Sequence, residues 1–380
     1  MAASGRLIRL TPRASHRRAA AQSGCSGRGA RGGAWSLHVF CVLVVAARGA
    51  ILVDVPARGA ILVDVRERSA YVARHLTGAS SIPLAELEAR LYELPAPSED
   101  ALSLCGADAR ELGAAAELLR TRGWIVEAEL ELSCADVWSA LDAGGWPEAA
   151  PGCETSQPSW RPNLFLRERL EGFLAEARAA EALAAVGDGG DPSAISASRV
   201  ALDLGAGNGR DAVFMAELLG GGWEVVAIDN NIAALKRCEA LADKAGVGSR
   251  VRLDARNLRR ASEAVAGWTN GEVRVAHGSR FLVKALLLAL RDQVLLEPGS
   301  LFIWTTFLEP SGEEENLAPP FRPSRRLRRG ELAALFTASE GWGILADEEG
   351  VLTTRGEHVP SNFFAAVRLA FASHLGVACE

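Results

Sequence analysis

The stretch Val200-Ala-Leu-Asp-Leu-Gly-Ala-Gly-Asn-Gly209 decides the fold of the C-terminal half of this chain. It ends a predicted strand and opens a predicted helix. The turn between these elements carries glycines at 205, 207 and 209, which form the pattern G-x-G-x-G. Because glycine has no side chain, a ligand can lie directly against the backbone there, and the pattern predicts a binding loop.

Two acidic residues accompany this loop. Asp203 precedes the glycines, and Asp229 ends the next predicted strand, twenty residues after Gly209. An acid at the tip of that second strand can accept hydrogen bonds from both hydroxyls of a ribose. A dinucleotide would require G-x-G-x-x-G with its pyrophosphate at the helix N-terminus, so the spacing favours a nucleoside ligand without a phosphate. Another kind of nucleotide-binding α/β domain is the alternative that these residues leave open.

The chain around the loop alternates strand and helix. A long amphipathic helix is predicted over Leu164–Ala185, before the first strand. Seven strands with helices between them indicate a doubly wound α/β sheet. The predicted strands are Val200–Leu204, Glu224–Ile228, Arg250–Leu253, Val273–Ala276, Leu301–Phe307, Gly343–Ala346 and Phe363–Leu369.

At these residues the chain resembles the class I S-adenosylmethionine (SAM)-dependent methyltransferase superfamily, over about residues 163–380. The strings DLGAGNGRDAVFMAELL and WEVVAIDNN are most similar to the branch around tellurite-resistance and thiopurine-type enzymes. The resemblance implies a Rossmann-like domain, SAM as cofactor and a small-molecule methyl acceptor. It also implies that Asp254 or Asn257, after the third strand, binds the adenine amino group. The other implied cofactor-binding residues are Asp203, Gly205, Gly207, Gly209, Asp229 and Asn230.

Acceptor-binding residues are expected after the fourth strand, in His277-Gly-Ser-Arg280. Arg280 could bind an anionic acceptor or serve as a structural arginine. His277 could act as a base, but a histidine at a strand end is more often satisfied by its neighbours. Methyl transfer needs little beyond alignment of nucleophile, methyl group and leaving sulfur, so no obvious base is required. The arginine-rich loop Glu309–Arg329 is either a lid or binding segment or a solvated run of charge.

A second α/β pattern precedes this domain and resembles the rhodanese domain over about residues 57–147. Leu62-Val-Asp-Val-Arg-Glu-Arg68 and Leu104-Cys-Gly-Ala-Asp-Ala-Arg110 carry the resemblance, which implies a small parallel sheet and a persulfide on Cys105 in an active member. Asp108 stands in place of the usual mid-loop glycine, and its charge would oppose an anionic sulfur. Counting back from Gly123 leaves open whether Cys105 begins the loop or belongs to the strand. We expect a non-catalytic module; a rhodanese-type sulfurtransferase with Cys105 as its catalytic residue is the alternative.

The first 53 residues contain no Asp, Glu or Lys but eight arginines. A segment rich in Arg and Ser and free of acids is typical of an organelle transit peptide. We therefore expect the chloroplast or the mitochondrion, with the cytoplasm as the alternative. The apolar run Trp35–Ala47 is shorter than the roughly 17–25 residues that span a bilayer, so no membrane span is expected.

A nine-residue string, ARGAILVDV, occurs at 47–55 and again at 57–65, and only one copy can form the first strand of the domain that follows. Gly, Pro and Ser interrupt all periodicity between Gly144 and Pro162. The predicted organisation is a targeting or disordered segment over 1–46, a rhodanese-like domain over 47–147, a linker over 148–162 and a methyltransferase domain over 163–380.

The composition of the 380 residues is globular, with 49% apolar residues and a net charge of −6. This charge argues against a general nucleic-acid binder, which gains affinity by neutralising phosphates with cations. The seven cysteines are scattered without metal-ligand spacing. We therefore expect a reducing compartment and no metal site. The sequence does not identify a partner protein.

Overall fold

The computed structural model divides the chain into two compact units, residues 1–159 and 160–380. The boundary falls within the predicted linker. The residues that the structure describes are 40–46, 49–55, 61–97, 99–133, 137–139, 141, 148–149, 152–187, 199–260, 273–292, 296–310, 325–354 and 357–370.

The two copies of the repeated string lie in different sheets of the first unit. Strands β1 (Phe40–Ala46) and β2 (Gly49–Val55) pair antiparallel, and β2 consists of residues 49–55 of the first copy. The second copy supplies β3 (Ile61–Asp64), the first strand of the sheet that follows. Most of the predicted targeting segment, residues 1–39, lies outside the described residues. Among the residues described, no helix is long and apolar enough to cross a membrane.

A four-stranded parallel sheet organises the rest of the first unit. Its strands follow the order β4-β3-β5-β6, with β3 and β5 at the centre. The further strands are β4 (Ser80–Ser81), β5 (Ala101–Gly106) and β6 (Ile125–Glu131), and the helices are α1 (Arg68–Ala73), α2 (Leu84–Leu87) and α3 (Ala109–Thr121).

Successive residues of a strand point to opposite faces of a sheet, and both faces of this sheet are buried. In β3, Leu62 packs into a cluster with Tyr71 of α1, whereas Val63 packs into a second cluster with Leu112 and Leu119 of α3. Helix α3 presents its apolar side to the sheet because its buried residues recur at helical spacing. The result is an α/β unit with two layers of core.

Part of the predicted linker packs on the first unit. The Tyr71 hydroxyl donates a hydrogen bond of 2.8 Å to the carbonyl of Thr155, and the Ser81 N–H donates one of 2.9 Å to the Ser156 hydroxyl. These residues therefore extend the first unit as far as Ser159.

The second unit is a seven-stranded sheet with the order β12-β13-β11-β10-β7-β8-β9. Strands β7 to β11 are parallel, and β13 is antiparallel to both of its neighbours. The strands are β7 (Arg199–Leu204), β8 (Trp223–Ile228), β9 (Val251–Asp254), β10 (Val273–Ser279), β11 (Leu296–Phe307), β12 (Trp342–Thr354) and β13 (Glu357–Arg368). The helices are α4 (Leu164–Gly187), α5 (Arg210–Leu219), α6 (Ile232–Lys244), α7 (Lys284–Asp292) and α8 (Glu331–Leu335).

All seven predicted strands are present, and the prediction of a doubly wound, Rossmann-like α/β sheet is confirmed. The last two strands are longer than predicted. Pairing between β13 and β11 ends at Ser361, whereas β12 and β13 continue to pair with each other as far as Thr354 and Glu357. The hairpin therefore extends past the end of β11.

Aromatic side chains fill the core on one face of the second sheet. Phe302 of β11 lies at their centre and is fully buried. Its ring lies 5.5 Å from that of Trp304, 4.6 Å from Phe336, 6.0 Å from Trp342 and 6.2 Å from Phe364.

Phe302→Ala is expected to lower the free energy of unfolding by about 3–5 kcal/mol, since the surrounding rings cannot close the cavity left behind. Ile344→Ala, at a residue of β12 that is 44% exposed, serves as the control and should change it by less than about 0.5 kcal/mol. Denaturant unfolding of both variants measures the difference. Similar losses in the two would show that Phe302 is not central to this core.

Candidate active site

The glycine loop, residues 205–209, turns the chain sharply from β7 into α5. Gly205, Gly207 and Gly209 have φ angles of 82°, 55° and 78°, in the left-handed region that other residues rarely adopt. A Cβ on Gly205 would lie 2.9 Å from Cγ of Phe281, and one on Gly209 would collide with Cys238. A Cβ on Gly207 would meet nothing within 4 Å. Neighbouring side chains thus fill the space beside Gly205 and Gly209, whereas the space beside Gly207 is open.

Asp229, at the tip of β8, is hydrogen-bonded to this loop. Its Oδ2 accepts from the N–H of Gly207 at 3.0 Å, and its Oδ1 accepts from the N–H of Asn231 at 2.8 Å. Each carboxylate oxygen can accept a second hydrogen bond, and the side chain is only half-buried. Asn230, between these residues, is exposed. The predicted ribose-binding acid therefore sits beside the open glycine.

The two predicted adenine contacts lie at and after the tip of β9. Asp254 is half-buried, and Arg256 binds both of its oxygens, from Nε to Oδ1 at 3.0 Å and from a terminal nitrogen to Oδ2 at 2.6 Å. Asn257 is also half-buried, and its Oδ1 accepts from the N–H of Arg259 at 3.1 Å. The N–H of Asp229 donates to the carbonyl of Asp254, which joins this tip to that of β8.

Asp203 lies inside the sheet rather than in an open site. It is 2% exposed, and its Oδ1 lies 3.1 Å from Nδ1 of the fully buried His277. The two residues stand opposite each other on the adjacent strands β7 and β10. Burial raises the pKa of Asp203 even though its bond to His277 acts in the other direction. For His277, burial lowers the pKa, but the bond to Asp203 and the charge of Asp211 raise it above its ordinary value.

Asp211 and Asn163 complete the same polar cluster, and neither residue was predicted from the sequence. Asp211 Oδ1 accepts from the N–H of Asn163 at 2.8 Å, and its Oδ2 lies 3.9 Å from Nε2 of His277. The Asn163 side chain donates to the Ser279 hydroxyl at 3.0 Å, and its Oδ1 accepts from the Phe165 N–H at the start of α4. Only the N-cap role of Asn163 carries a local signal, because Asn before an apolar run is typical of a helix start.

Arg280 follows β10 and has a φ angle of 54°. It is the sole residue other than glycine with a positive φ among those the structure describes, and its side chain is exposed. Its N–H donates to the carbonyl of Thr305 at 2.8 Å, which fixes this backbone at the end of β11. Unusual backbone of this kind often occurs at functional sites.

Within the arginine-rich loop, residues 311–324 lie outside the described residues. Two of its described arginines form ion pairs, Arg328 with Glu331 and Arg329 with Glu349.

In the first unit, Cys105 is a residue of β5 and is fully buried. Burial raises the pKa of its thiol, and the charge of Asp64 adds to the effect, so the reactive thiolate is disfavoured. After the strand, only two residues precede α3. Asp108 accepts from the N–H of Glu111, and Glu111 accepts from the N–H of Ala107 at 2.6 Å. The structure thus places Cys105 in the strand, and the chain's own carboxylates bind the N–H groups that follow it.

Residues 195–303 match the protein family described as "Methyltransferase domain". This segment contains the glycine loop, Asp229 and His277. The chain carries a methyltransferase domain. The prediction of a methyltransferase is confirmed over these residues by the family match. The search for relatives among curated proteins found no match.

Three methyltransferases illustrate the similarity of this chain to solved structures. Geranyl diphosphate C-methyltransferase from Streptomyces coelicolor A3(2) is 15% identical, with 52% of this chain and 80% of that one covered and a TM-score of 0.36. A SAM-dependent methyltransferase from Methanosarcina mazei is 16% identical, with 47% and 98% covered and a TM-score of 0.36. One from Aquifex aeolicus is 13% identical, with 46% and 93% covered and a TM-score of 0.33. Because these TM-scores are low, the identification rests on the family match.

The methyltransferase domain offers groups that fit SAM. The open side of Gly207 allows close approach to the backbone, and the half-buried carboxylate of Asp229 retains acceptor capacity for hydroxyl groups. No group of three or more His, Cys, Asp or Glu residues is placed to hold a metal ion in the described part of the chain.

Gly207→Ala is expected to weaken SAM binding to the methyltransferase domain on the order of tenfold, about 1.4 kcal/mol, because the added methyl group would occupy the open side of the loop. Gly246→Ala is the matched control, since Gly246 also has a positive φ (70°) and open space around it. Both variants should lose about 1–2 kcal/mol of stability from the left-handed backbone. Calorimetric titration with SAM distinguishes them, and equal SAM affinities in the two would contradict the assignment of the loop.

Proposed function

We propose that this protein transfers the methyl group of SAM to a small-molecule acceptor, as an enzyme of the tellurite-resistance and thiopurine-type branch. The observation that carries the proposal is the contact between Gly207 and Asp229. It places an acid with unused acceptor capacity next to the part of the loop where no side chain blocks a ligand. SAM supplies an electrophilic methyl group on a sulfonium, and the protein's contribution is to bind and orient the reactants.

Different residues of the chain would bind different parts of SAM. Asp229 would accept hydrogen bonds from the ribose hydroxyls, and the backbone at Gly205 and Gly207 would hold the methionine part. Asp254 or Asn257, at and after the tip of β9, would hold the adenine amino group with an acceptor oxygen. Gly209 supports the loop indirectly, because its lack of a side chain lets the loop pack against Cys238.

We propose that Arg280 binds the methyl acceptor and that His277 has a structural role. Arg280 is exposed at the carboxyl end of β10, where a guanidinium can bind an anionic group. The side chain of His277 is fully buried against Asp203, so it does not reach an acceptor molecule. Alignment of the acceptor nucleophile with the methyl group and the leaving sulfur is then the main catalytic requirement.

Asp229→Asn is expected to weaken SAM binding by about 1–3 kcal/mol, because the amide replaces one acceptor oxygen with a donor and removes the charge. Calorimetric titration of the full chain measures the change.

Asp292→Asn is the matched control for this titration, since Asp292 is an exposed acid at the end of α7 that pairs with Arg291. Its affinity for SAM should equal that of the wild type. Absence of SAM binding by the folded wild type, or an unchanged affinity in Asp229→Asn, would contradict the proposed site.

We propose that the first unit is a rhodanese-like module without sulfurtransferase activity. A persulfide needs an accessible thiolate and a set of N–H donors, but Cys105 is buried with a raised thiol pKa. The N–H donors of Ala107 and Glu111 are already bound by carboxylates. The organellar location remains a prediction from the composition of the first 53 residues.

The wild type is accordingly expected to lack thiosulfate:cyanide sulfurtransferase activity, and Cys105→Ser should leave methyl transfer unchanged. A colorimetric thiocyanate assay tests the first statement, and methyl transfer from radiolabelled SAM to a panel of small thiols tests the second. Thiocyanate formation that disappears in Cys105→Ser would favour the sulfurtransferase instead.

A further inference from the structure

One imidazole contacts both ends of the glycine loop. Asp203 lies in β7, two residues before the loop, and its Oδ1 lies 3.1 Å from Nδ1 of His277. Asp211 lies in the first turn of the helix after the loop, and its Oδ2 is 3.9 Å from Nε2 of the same ring. The loop between these two acids is the proposed binding surface for SAM.

The surroundings of the ring favour its doubly protonated form. His277 is fully buried and Asp203 is 2% exposed, so an uncompensated negative charge would be costly there. A neutral imidazole has one N–H and one lone pair, and one of the two carboxylates would then face that lone pair. An imidazolium instead presents an N–H to each acid. Within the described part of the chain, Nε2 of His277 has no hydrogen-bond partner, so Coulomb attraction alone links this nitrogen to Asp211.

We propose that His277 is a positioning residue whose imidazolium holds Asp203 and Asp211 together and thereby keeps the glycine loop in its SAM-binding conformation. This inference rests on the proposed SAM site. We call Asp203, His277 and Asp211 together the clamp. Because Asp211 also accepts a hydrogen bond from the N–H of Asn163, the clamp also fixes the segment that enters α4.

Among the described residues, the titratable and charged groups around the ring come from three elements. Asp203 on β7 and Asp211 on α5 face His277 directly, and the Cys238 thiol of α6 faces Asp203. Across β11 the residue opposite His277 is Ile303, which is apolar. The pKa of His277 lies above its ordinary value, so the clamp is present at low pH and is lost as the pH rises through that raised pKa.

The test is a SAM titration of the full chain between about pH 6 and about pH 9, a range that begins near the ordinary pKa of histidine and extends well above it. Two variants remove the clamp with little change of shape. His277→Gln retains an N–H donor for Asp203 but cannot titrate, and Asp211→Asn retains the acceptor for the Asn163 N–H but removes the charge. His358→Gln, at an exposed histidine on β13, is the control.

The wild type and His358→Gln should lose more SAM affinity across this range than the two clamp variants, by on the order of tenfold, a typical coupling between two linked sites. The amino group of SAM titrates equally in all four proteins, so the difference between them isolates the clamp. Parallel pH profiles in all four proteins would overturn the proposal. If His277→Gln does not fold, Asp211→Asn, at a residue that is only half-buried, decides the same question.

Hydrogen exchange without SAM provides an independent measurement. After correction for the intrinsic pH dependence of exchange, the amides of residues 205–209 should lose protection with rising pH in the wild type but not in the two clamp variants. Unchanged protection in the wild type would overturn the clamp. A wild type that loses loop protection as expected, yet binds no SAM at any pH, would instead refute the proposed function and leave the clamp standing.

Discussion

The turn from β7 into α5 is the constraint on which the second unit depends. Three glycines with positive φ allow the chain to reverse within five residues, and two of them also make room for Phe281 and Cys238. A side chain at any of these positions would strain the backbone or displace a neighbour. The hydrogen bond from Gly207 to Asp229 then fixes the loop to the next strand, so one local backbone requirement sets both the packing and the site.

The topology of the sheet explains why polar groups from distant segments meet at this turn. β7 lies inside the sheet, with β8 on one side and β10 on the other, and the strand order reverses there. Ligands of doubly wound sheets bind outside the carboxyl ends of the strands at such a point. Asp229 and Arg280 follow these two neighbouring strands. The core on either side, including the aromatic cluster around Phe302, holds the strand ends in register.

The parts that could be predicted from sequence are those with a local signal. The glycine spacing, the acid ending β8 and the alternation of apolar runs identified the loop, Asp229 and all seven strands. The cluster around His277 could not be found in this way, because Asp203 and His277 are 74 residues apart and only the strand order makes them neighbours. Cys105 was ambiguous for a related reason. Its motif fits a loop, whereas the pairing of Asp64 with Cys105 in the sheet makes it a strand residue.

The contacts of Asn163 have a consequence for the order of assembly. Its backbone meets a residue 48 positions ahead and its side chain one 116 positions ahead. Contacts of such long range form late, because the intervening chain must first lose its conformational entropy. Helix α4 is therefore synthesised well before its docking surface can form, because that surface includes Ser279 of β10 and Phe363 of β13. The apolar side of α4 stays exposed during this interval, and exposed apolar surface makes a folding intermediate prone to aggregation.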